Sequence, residues 1–348
     1  MKSKVIIIDG GVMTMKSIFS WGSVKKKILN KILPESTFLP PVSYTFFLMC
    51  ISALKKIGVN EGDRIILACD KTTSWRKFFY PEYKAQRAGD RDKQEHIDFP
   101  FHFKMLDNLL EQLEDSTDWN IMWLPNMWKG ADLLFTEQGE QFFDPDEYDD
   151  NDNLNRWYGM EADDIIAYAS EYYTDKDVVF VSIDADLDQL CVRENTQFFT
   201  TAQKYKGSSG LYKCVKNGYS VLAKKIDKGD IADNILPGVT DDETTEEAKK
   251  RSHELRELII DLINYPEFIK KKMKPIFDAL PDKELDLNNL PFPKSLALRY
   301  HEVFKKDKII TIEQCEAYLE KKKIKKKKKD KEKREAKKKE KLALQMRS

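Results

Sequence analysis

Histidine and cysteine are scarce in this 348-residue chain, four of the first and five of the second. The cysteines, Cys50, Cys69, Cys191, Cys214 and Cys315, are widely spaced, odd in number and form no CxxC pair. That pattern argues against a disulfide framework or a zinc knuckle and fits a reducing compartment. Long apolar runs are missing too: none approaches the roughly 20 residues that span a bilayer, and a strand begins too early for a signal peptide. No membrane partner is expected, and the expected location is cytoplasmic.

Net charge is also lacking, since 59 Lys/Arg balance 59 Asp/Glu. The balance hides an asymmetry. Residues 321–341 hold fifteen Lys/Arg against four Asp/Glu, so the rest of the chain is eleven units acidic. A run of this kind is ordinarily a solvated tail. It also reads as a salt-sensitive phosphate-binding arm or, in a nucleated organism, a nuclear address.

What the chain does have is carboxylates at particular places. Asp9 follows VIII, Asp70 follows RIILAC, Glu161, Asp163 and Asp164 open a helix, Asp184 and Asp186 follow VVFVSI, and Asp230 and Asp233 lie further on. In an open α/β sheet the C-terminal ends of the strands converge on one crevice. Carboxylates gathered there repel unless protonated or neutralised by cations. An oxygen-only donor set without His or Cys points to Mg²⁺ or Mn²⁺ rather than zinc. The residues therefore imply a two-metal phosphodiester chemistry. Each group has a structural reading as well. Asp163 and Asp164 suit a helix N-terminus, Asp184, Asp186 and Asp188 suit helix capping, and Asp230 and Asp233 suit a capped turn.

Val5–Ile8, Arg64–Cys69, Asn120–Leu124, Val178–Ile183 and Thr196–Thr201 read as strands, with Gly10-Gly11 as a turn after the first. Tyr44–Lys56, Phe103–Glu114 and Ala162–Tyr173 read as helices between them. This alternation predicts an α/β fold with a mainly parallel sheet. Beyond about Asn217 the pattern is helical, over Tyr219–Ile226, Glu246–Asn264, Pro266–Leu280, Lys294–Lys306 and Ile312–Leu319. The expected division is an α/β domain over 1–215, a helical module over 216–320 and the Lys-rich tail over 321–348. The acidic stretch at about 126–157 reads as a surface insertion or mobile loop.

Six motifs stand in the order and context of the 5′ nuclease family: Asp9-Gly, ACDK around Asp70, PEYKAQR at 81–87, GMEADDIIAYAS at 159–170, SIDADLDQL at 182–190 and KGDIADNILPG at 228–238. Over roughly residues 4–240 the chain resembles that family, which includes flap endonucleases, phage 5′–3′ exonucleases and primer-removing ribonucleases H. The resemblance implies a PIN-like sheet, a helical arch above the site and a helix–hairpin–helix-type module beside it. It implies two or more Mg²⁺ or Mn²⁺ ions. Asp9, Asp70, Glu161, Asp163 and Asp164 would form a first cluster; Asp184, Asp186 and Asp233 would complete the second, with Asp230 alongside. Lys84 and Arg87 would face the scissile phosphate from the arch base, with Ala88–Asp98 as a mobile arch.

The basic–aromatic stretch 75–87 reads either as an amphipathic helix start or as a nucleic-acid surface. On the second reading Tyr83 stacks on a base, and Arg76 and Lys77 contact flanking phosphates. Lys225 and Gly229 match the start of the family's duplex-binding module. The chain then departs from the family pattern: Gly238-Val-Thr-Asp-Asp-Glu replaces the usual GxGIG, leaving K⁺-mediated anchoring without its glycines. The implied substrate is DNA with a 5′ flap, nick or RNA primer, acted on by a monomer, with a single-stranded-DNA-binding protein as a further partner. Two other readings are a nuclease-dead junction-binding protein and a PIN-type ribonuclease.

Overall fold

Four consecutive β-branched residues, Val5–Ile8, make a strand that is fully buried on both faces, β1 (Lys4–Asp9). The computed structural model describes residues 3–37, 39–200, 211–213, 218–236 and 245–286. From β1 the chain runs through α1 (Gly10–Leu29) and α2 (Val42–Ile57) to β2 (Arg64–Cys69). It continues through α3 (Arg76–Phe79), α4 (Gln86–Asp92) and α5 (Phe99–Ser116) to β3 (Trp119–Trp123). A small hairpin, β4 (Trp128–Lys129) with β5 (Trp157–Tyr158), encloses α6 (Gly130–Leu134), α7 (Glu137–Phe142) and α8 (Asn151–Asn155). Next come α9 (Ala162–Tyr172), β6 (Asp177–Val181), a 3-10 helix at Asp186–Val192, β7 (Thr196–Phe199) and β8 (Leu211–Lys213). The described chain ends with α10 (Gly218–Lys228), a 3-10 turn at Ile231–Asp233, α11 (Glu246–Ile260) and α12 (Glu267–Asp278).

The sheet order is β3-β2-β1-β6-β7-β8, with five parallel strands and β8 antiparallel on the edge. Alternation sorts the strand residues into two cores. Ile6, Ile8, Ile65 and Leu67 pack under α1, α2 and α5; Val5, Ile7, Ile66 and Ala68 pack under α9 and α12. A third, smaller cluster joins Tyr83 to Leu222 and Ile226 of α10 and to Ile259, Ile260 and Ile263. The order reverses at β1, which has β2 on one side and β6 on the other. Such a switch point is where ligands bind in α/β sheets.

The α/β architecture with a mainly parallel sheet is as expected, and several local expectations are corrected. Gly10-Gly11 is not a turn but the first turn of a 20-residue helix, because the Asp9 carboxylate caps it by accepting from Val12 N at 2.8 Å. The stretch Ala88–Asp98 is folded as α4 and a docked turn. Ile97 is buried so close to α1 that a Cβ on Gly22 would lie 2.3 Å from its Cδ1. The acidic stretch is likewise packed rather than loose. Phe142, Phe143 and Tyr148 lie against Phe78 and Phe79, and Arg251 Nη2 donates to the Phe142 carbonyl at 2.9 Å. The Lys-rich tail, Lys294–Lys306, Ile312–Leu319 and the acidic run after Gly238 lie outside the described residues. Among those residues no helix is long and apolar enough to cross a membrane.

Candidate functional site

Asp9 ends β1, Asp70 follows β2, Asp184 follows β6, and Asp163 sits in the first turn of α9. Two glycines let the first two meet. A Cβ on Gly10 would lie 2.6 Å from the Ala68 carbonyl oxygen, so the helix start packs directly on β2. A Cβ on Gly11 would lie 2.3 Å from Asp70 Oδ2 and 3.5 Å from Asp9 Oδ1. Ser182 fixes the next corner. Its hydroxyl donates to Asp9 Oδ2 at 2.6 Å and accepts from the Asp184 backbone N–H at 3.0 Å. Asp70 Oδ1 accepts from Ala162 N at 2.6 Å, tying the β2 end to α9.

These carboxylates are held against their preference. Burial, with Asp70 and Asp184 nearby, pushes Asp9 up to about 7 despite its hydrogen bonds from Ser182 and Val12. Asp163 is pushed well above the usual carboxylate range by burial and then by Asp184, Asp9 and Asp70. Asp70 is raised by lost hydration and by Glu161, although its edge remains open to solvent. Protein atoms crowd it from one side of the crevice, which accounts for both observations.

Glu161 is different because cations surround it. Its carboxylate accepts from Lys84 Nζ at 2.7 Å, Tyr83 Oη at 2.8 Å, and Arg76 Nη1 and Ser74 Oγ at 3.2 Å. Burial alone would raise it, but Lys84 and Arg76 hold it down to about 2. Lys84 is placed by a left-handed backbone (φ 56°), which its N–H secures by donating to the Asp233 carbonyl at 2.8 Å. Its ammonium is pulled down by burial and more than restored by Glu161, Asp233 and Asp163.

The second acidic group lies across the crevice. Asp186, Asp230 and Asp233 can each offer an oxygen within 4.8 Å of the others. Gly229 at φ 68° and Asn234 at φ 60° fold Asp230–Asp233 back as a tight turn, closed by reciprocal backbone bonds between Asp230 and Ile235 at 2.9 and 2.8 Å. Lys225 Nζ bridges Asp186 and Asp230. Arg87 Nη2 binds Asp233 Oδ1 at 2.6 Å, and Tyr83 Oη lies 3.1 Å from Asp233 Oδ2. Burial and then Asp184 push Asp186 up to about 7. Burial would raise Asp230 too, but Lys225 holds it below the usual range. Between the two groups is a recess of about 20 Å³, lined by Asp163, Asp186, Asp230 and Asp233 together with Arg76 and Tyr83. That is room for one water molecule or one ion.

Four residues stand elsewhere than expected. Tyr83 is 3% exposed and cannot offer its ring to a base; it belongs to the third core cluster. Arg76 is 2% exposed and cannot reach a phosphate, because its guanidinium is spent on Glu161, on Asp164 at 2.7 Å and on the Ile259 carbonyl at 2.8 Å. Asp164 is fully buried. Its oxygens accept from Trp75 Nε1, Tyr265 Oη and the Glu161 backbone N–H and pair with Arg76, which leaves no lone pair facing the crevice. Lys225 faces the acids rather than a duplex surface. Lys77 is half-buried on α3. Sequence reasoning missed Ser182 and Tyr265. The first was legible beside Asp184; nothing local marks the second, which lies 101 residues from its partner Asp164. No family model and no curated protein matches the chain.

Proposed function

We propose that this chain is a metal-dependent 5′ nuclease, hydrolysing phosphodiesters of DNA with a 5′ flap, nick or RNA primer. One observation carries the reading. Asp9, Asp70, Asp163 and Asp184 come from four separate elements to the switch point of the sheet, tied there through Ser182, Ala162 N and the Gly11 cradle, and among the described residues no Lys or Arg bonds to any of them as Lys84 and Arg76 bond to Glu161. A structural acid cluster is normally compensated, as Asp164 is here. Acids gathered in a crevice without a directly bonded cation fit a site for hard divalent cations.

The donor set fits Mg²⁺ or Mn²⁺: oxygen ligands only, partly open, and too crowded with carboxylates to stay fully ionised without a cation. Asp9, Asp70, Asp163 and Asp184 would hold one ion, and Asp186, Asp230 and Asp233 a second. Bound ions of this class activate water and stabilise charge on the departing oxygen. The chain's own contribution is positioning. Lys84, fixed by Glu161, presents an ammonium at the crevice floor. Arg87, whose side chain is half-exposed, is free to leave Asp233 and meet the scissile phosphate. Both would stabilise charge that develops on the phosphoryl oxygens. Glu161, Tyr83, Arg76 and Asp164 form the wall that keeps Lys84 in place. The order of the six motifs supports a 5′ nuclease over other phosphodiesterases; on this reading α4 and its flanks would serve as the arch, and α10 with the turn after it would begin the duplex-binding module.

The test is cleavage of a 5′-labelled flap and an RNA-primed duplex, with Mg²⁺ and with EDTA, for wild type and Asp184→Asn. Metal-dependent cutting near the junction that the variant loses is expected. Junction binding without cutting would instead support a nuclease-dead scaffold.

A further inference from the structure

The second acidic group already contains a cation of the chain's own. Lys225 Nζ lies between Asp186 and Asp230 and bonds to both. Asp233, the third acid, carries Arg87 at 2.6 Å and Lys84 at 3.7 Å. The four basic side chains of the crevice differ in freedom. Arg76 is buried and bound on three sides, and Lys84 is held by Glu161 and by its own backbone. Lys225, by contrast, is 20% exposed on α10, and Arg87 is 51% exposed. A lysine ammonium is a point charge on a four-carbon stem, with no planar fork to fix it. It can swing out without disturbing its helix.

From this arrangement we infer that Lys225 is the resident counter-ion of the Asp186–Asp230–Asp233 site, and that a divalent cation enters there only by displacing it. The inference rests on the metal-dependent reading above and specifies how its second site is controlled. Three oxygens within 4.8 Å suit one small divalent ion, and the adjoining 20 Å³ recess offers a place for it or for a coordinated water. An ion and the ammonium cannot share the same oxygens, because like charges at that separation repel strongly. Filling the site therefore releases a positively charged side chain into the crevice mouth. A phosphodiester there supplies the negative charge that the released Lys225, and Arg87 beside it, would otherwise lack. Binding of the second ion and binding of substrate phosphate are coupled in this way. Among the described residues no Lys or Arg bonds to the first group, so its ion binds without exchange.

The exchange is read by titrating the full chain with Mn²⁺ and following free Mn²⁺ by electron paramagnetic resonance, without substrate. Wild type is expected to bind one ion tightly and a second weakly. Lys225→Met and Lys225→Gln should each tighten the second ion by roughly tenfold or more while leaving the first unchanged, since a competing ligand has been removed. Lys225→Arg should keep the second site weak. Thermal unfolding gives a second readout: Mn²⁺ should raise the Tm of the Met and Gln variants more than that of wild type, because their metal-free acids have lost their partner. Unchanged affinities in both neutral variants would overturn the exchange and leave the metal-dependent reading standing. Absence of Mn²⁺ binding in wild type and all variants would overturn both.

Discussion

Tyr83 and Asp233 are 150 residues apart in sequence, and their side chains meet at 3.1 Å, with Glu161 2.8 Å from the same phenolic oxygen. A phenol has one proton to donate. The shorter contact marks Glu161 as the acceptor, and the charges of Arg87 and Lys84 complete the approach of Asp233. Tyr83 thereby joins the two halves of the crevice from within the core. Tyr83→Phe removes only the hydroxyl and should cost about 1.5–3 kcal/mol, the range for a hydrogen bond to a charged group. Urea unfolding checks this, with DNA affinity measured alongside. Unchanged stability would show that the hydroxyl does not join the two halves, and a loss of DNA affinity in Tyr83→Leu that Tyr83→Phe does not share would restore the stacking role that burial argues against.

Neighbouring acids should behave in opposite ways. Asp163→Asn removes charge from the uncompensated group, so Mn²⁺ affinity should fall while metal-free stability holds or rises. Asp164→Asn disturbs a buried acid paired with Arg76. Breaking such a pair costs about 3–5 kcal/mol because the partner is left charged and buried. Calorimetric unfolding of the two variants beside Mn²⁺ titration separates ligand from wall. Equal effects on metal binding would place Asp164 back among the ligands.

Gly11→Ala tests the cradle between β1 and β2. The added methyl would stand 2.3 Å from Asp70 Oδ2, the movable end of a side chain, so the fold should survive. Alanine in a helical turn is worth roughly 0.5–1 kcal/mol over glycine, which offsets part of any strain. Asp70 must move, and Mn²⁺ affinity should drop roughly tenfold, about 1.4 kcal/mol. Unchanged affinity with normal folding would show that Asp70 is not a ligand.

Metal-free stability should peak in mildly acid solution. Asp9, at about 7, keeps a proton in the native state that an unfolded aspartate has released above roughly pH 3.9. Its contribution is complete below that value and is lost as pH rises through 7, by up to ~1.4 kcal/mol per pH unit. Asp186, also at about 7, adds to the same limb. Glu161, held at about 2, acts in the other direction: its contribution is present above roughly pH 4.3 and is lost as pH falls toward 2. Urea titrations in EDTA from pH 3 to 8 should show both limbs. Mg²⁺ or Asp9→Asn should flatten the upper one, and an unaltered upper limb in Asp9→Asn would rule out this origin.

Some of this was decided locally and some was not. VIII and RIILAC are apolar runs bounded by acids, so they make buried strands that deliver Asp9 and Asp70 to their C-terminal ends in almost any α/β context. The same holds for VVFVSI and Asp184, and for α9 opening at Glu161. Local sequence thus determined the sheet, its largely parallel sense and the approach of the acids to one edge. It did not determine which acids face the crevice. Asp163 and Asp164 are adjacent and chemically identical, yet one feels Lys84 only at a distance and the other is sealed under Arg76, Trp75 and Tyr265. Their difference arises from a 100° step around a helix and from partners about 90 and 101 residues away. Arg76, Tyr83 and Lys225 looked like a surface for nucleic acid because base and aromatic types are the same in either setting. Only the tertiary structure, by packing α3 and α10 against α11, turned these side chains inward and paired Arg76 and Lys225 with the acids.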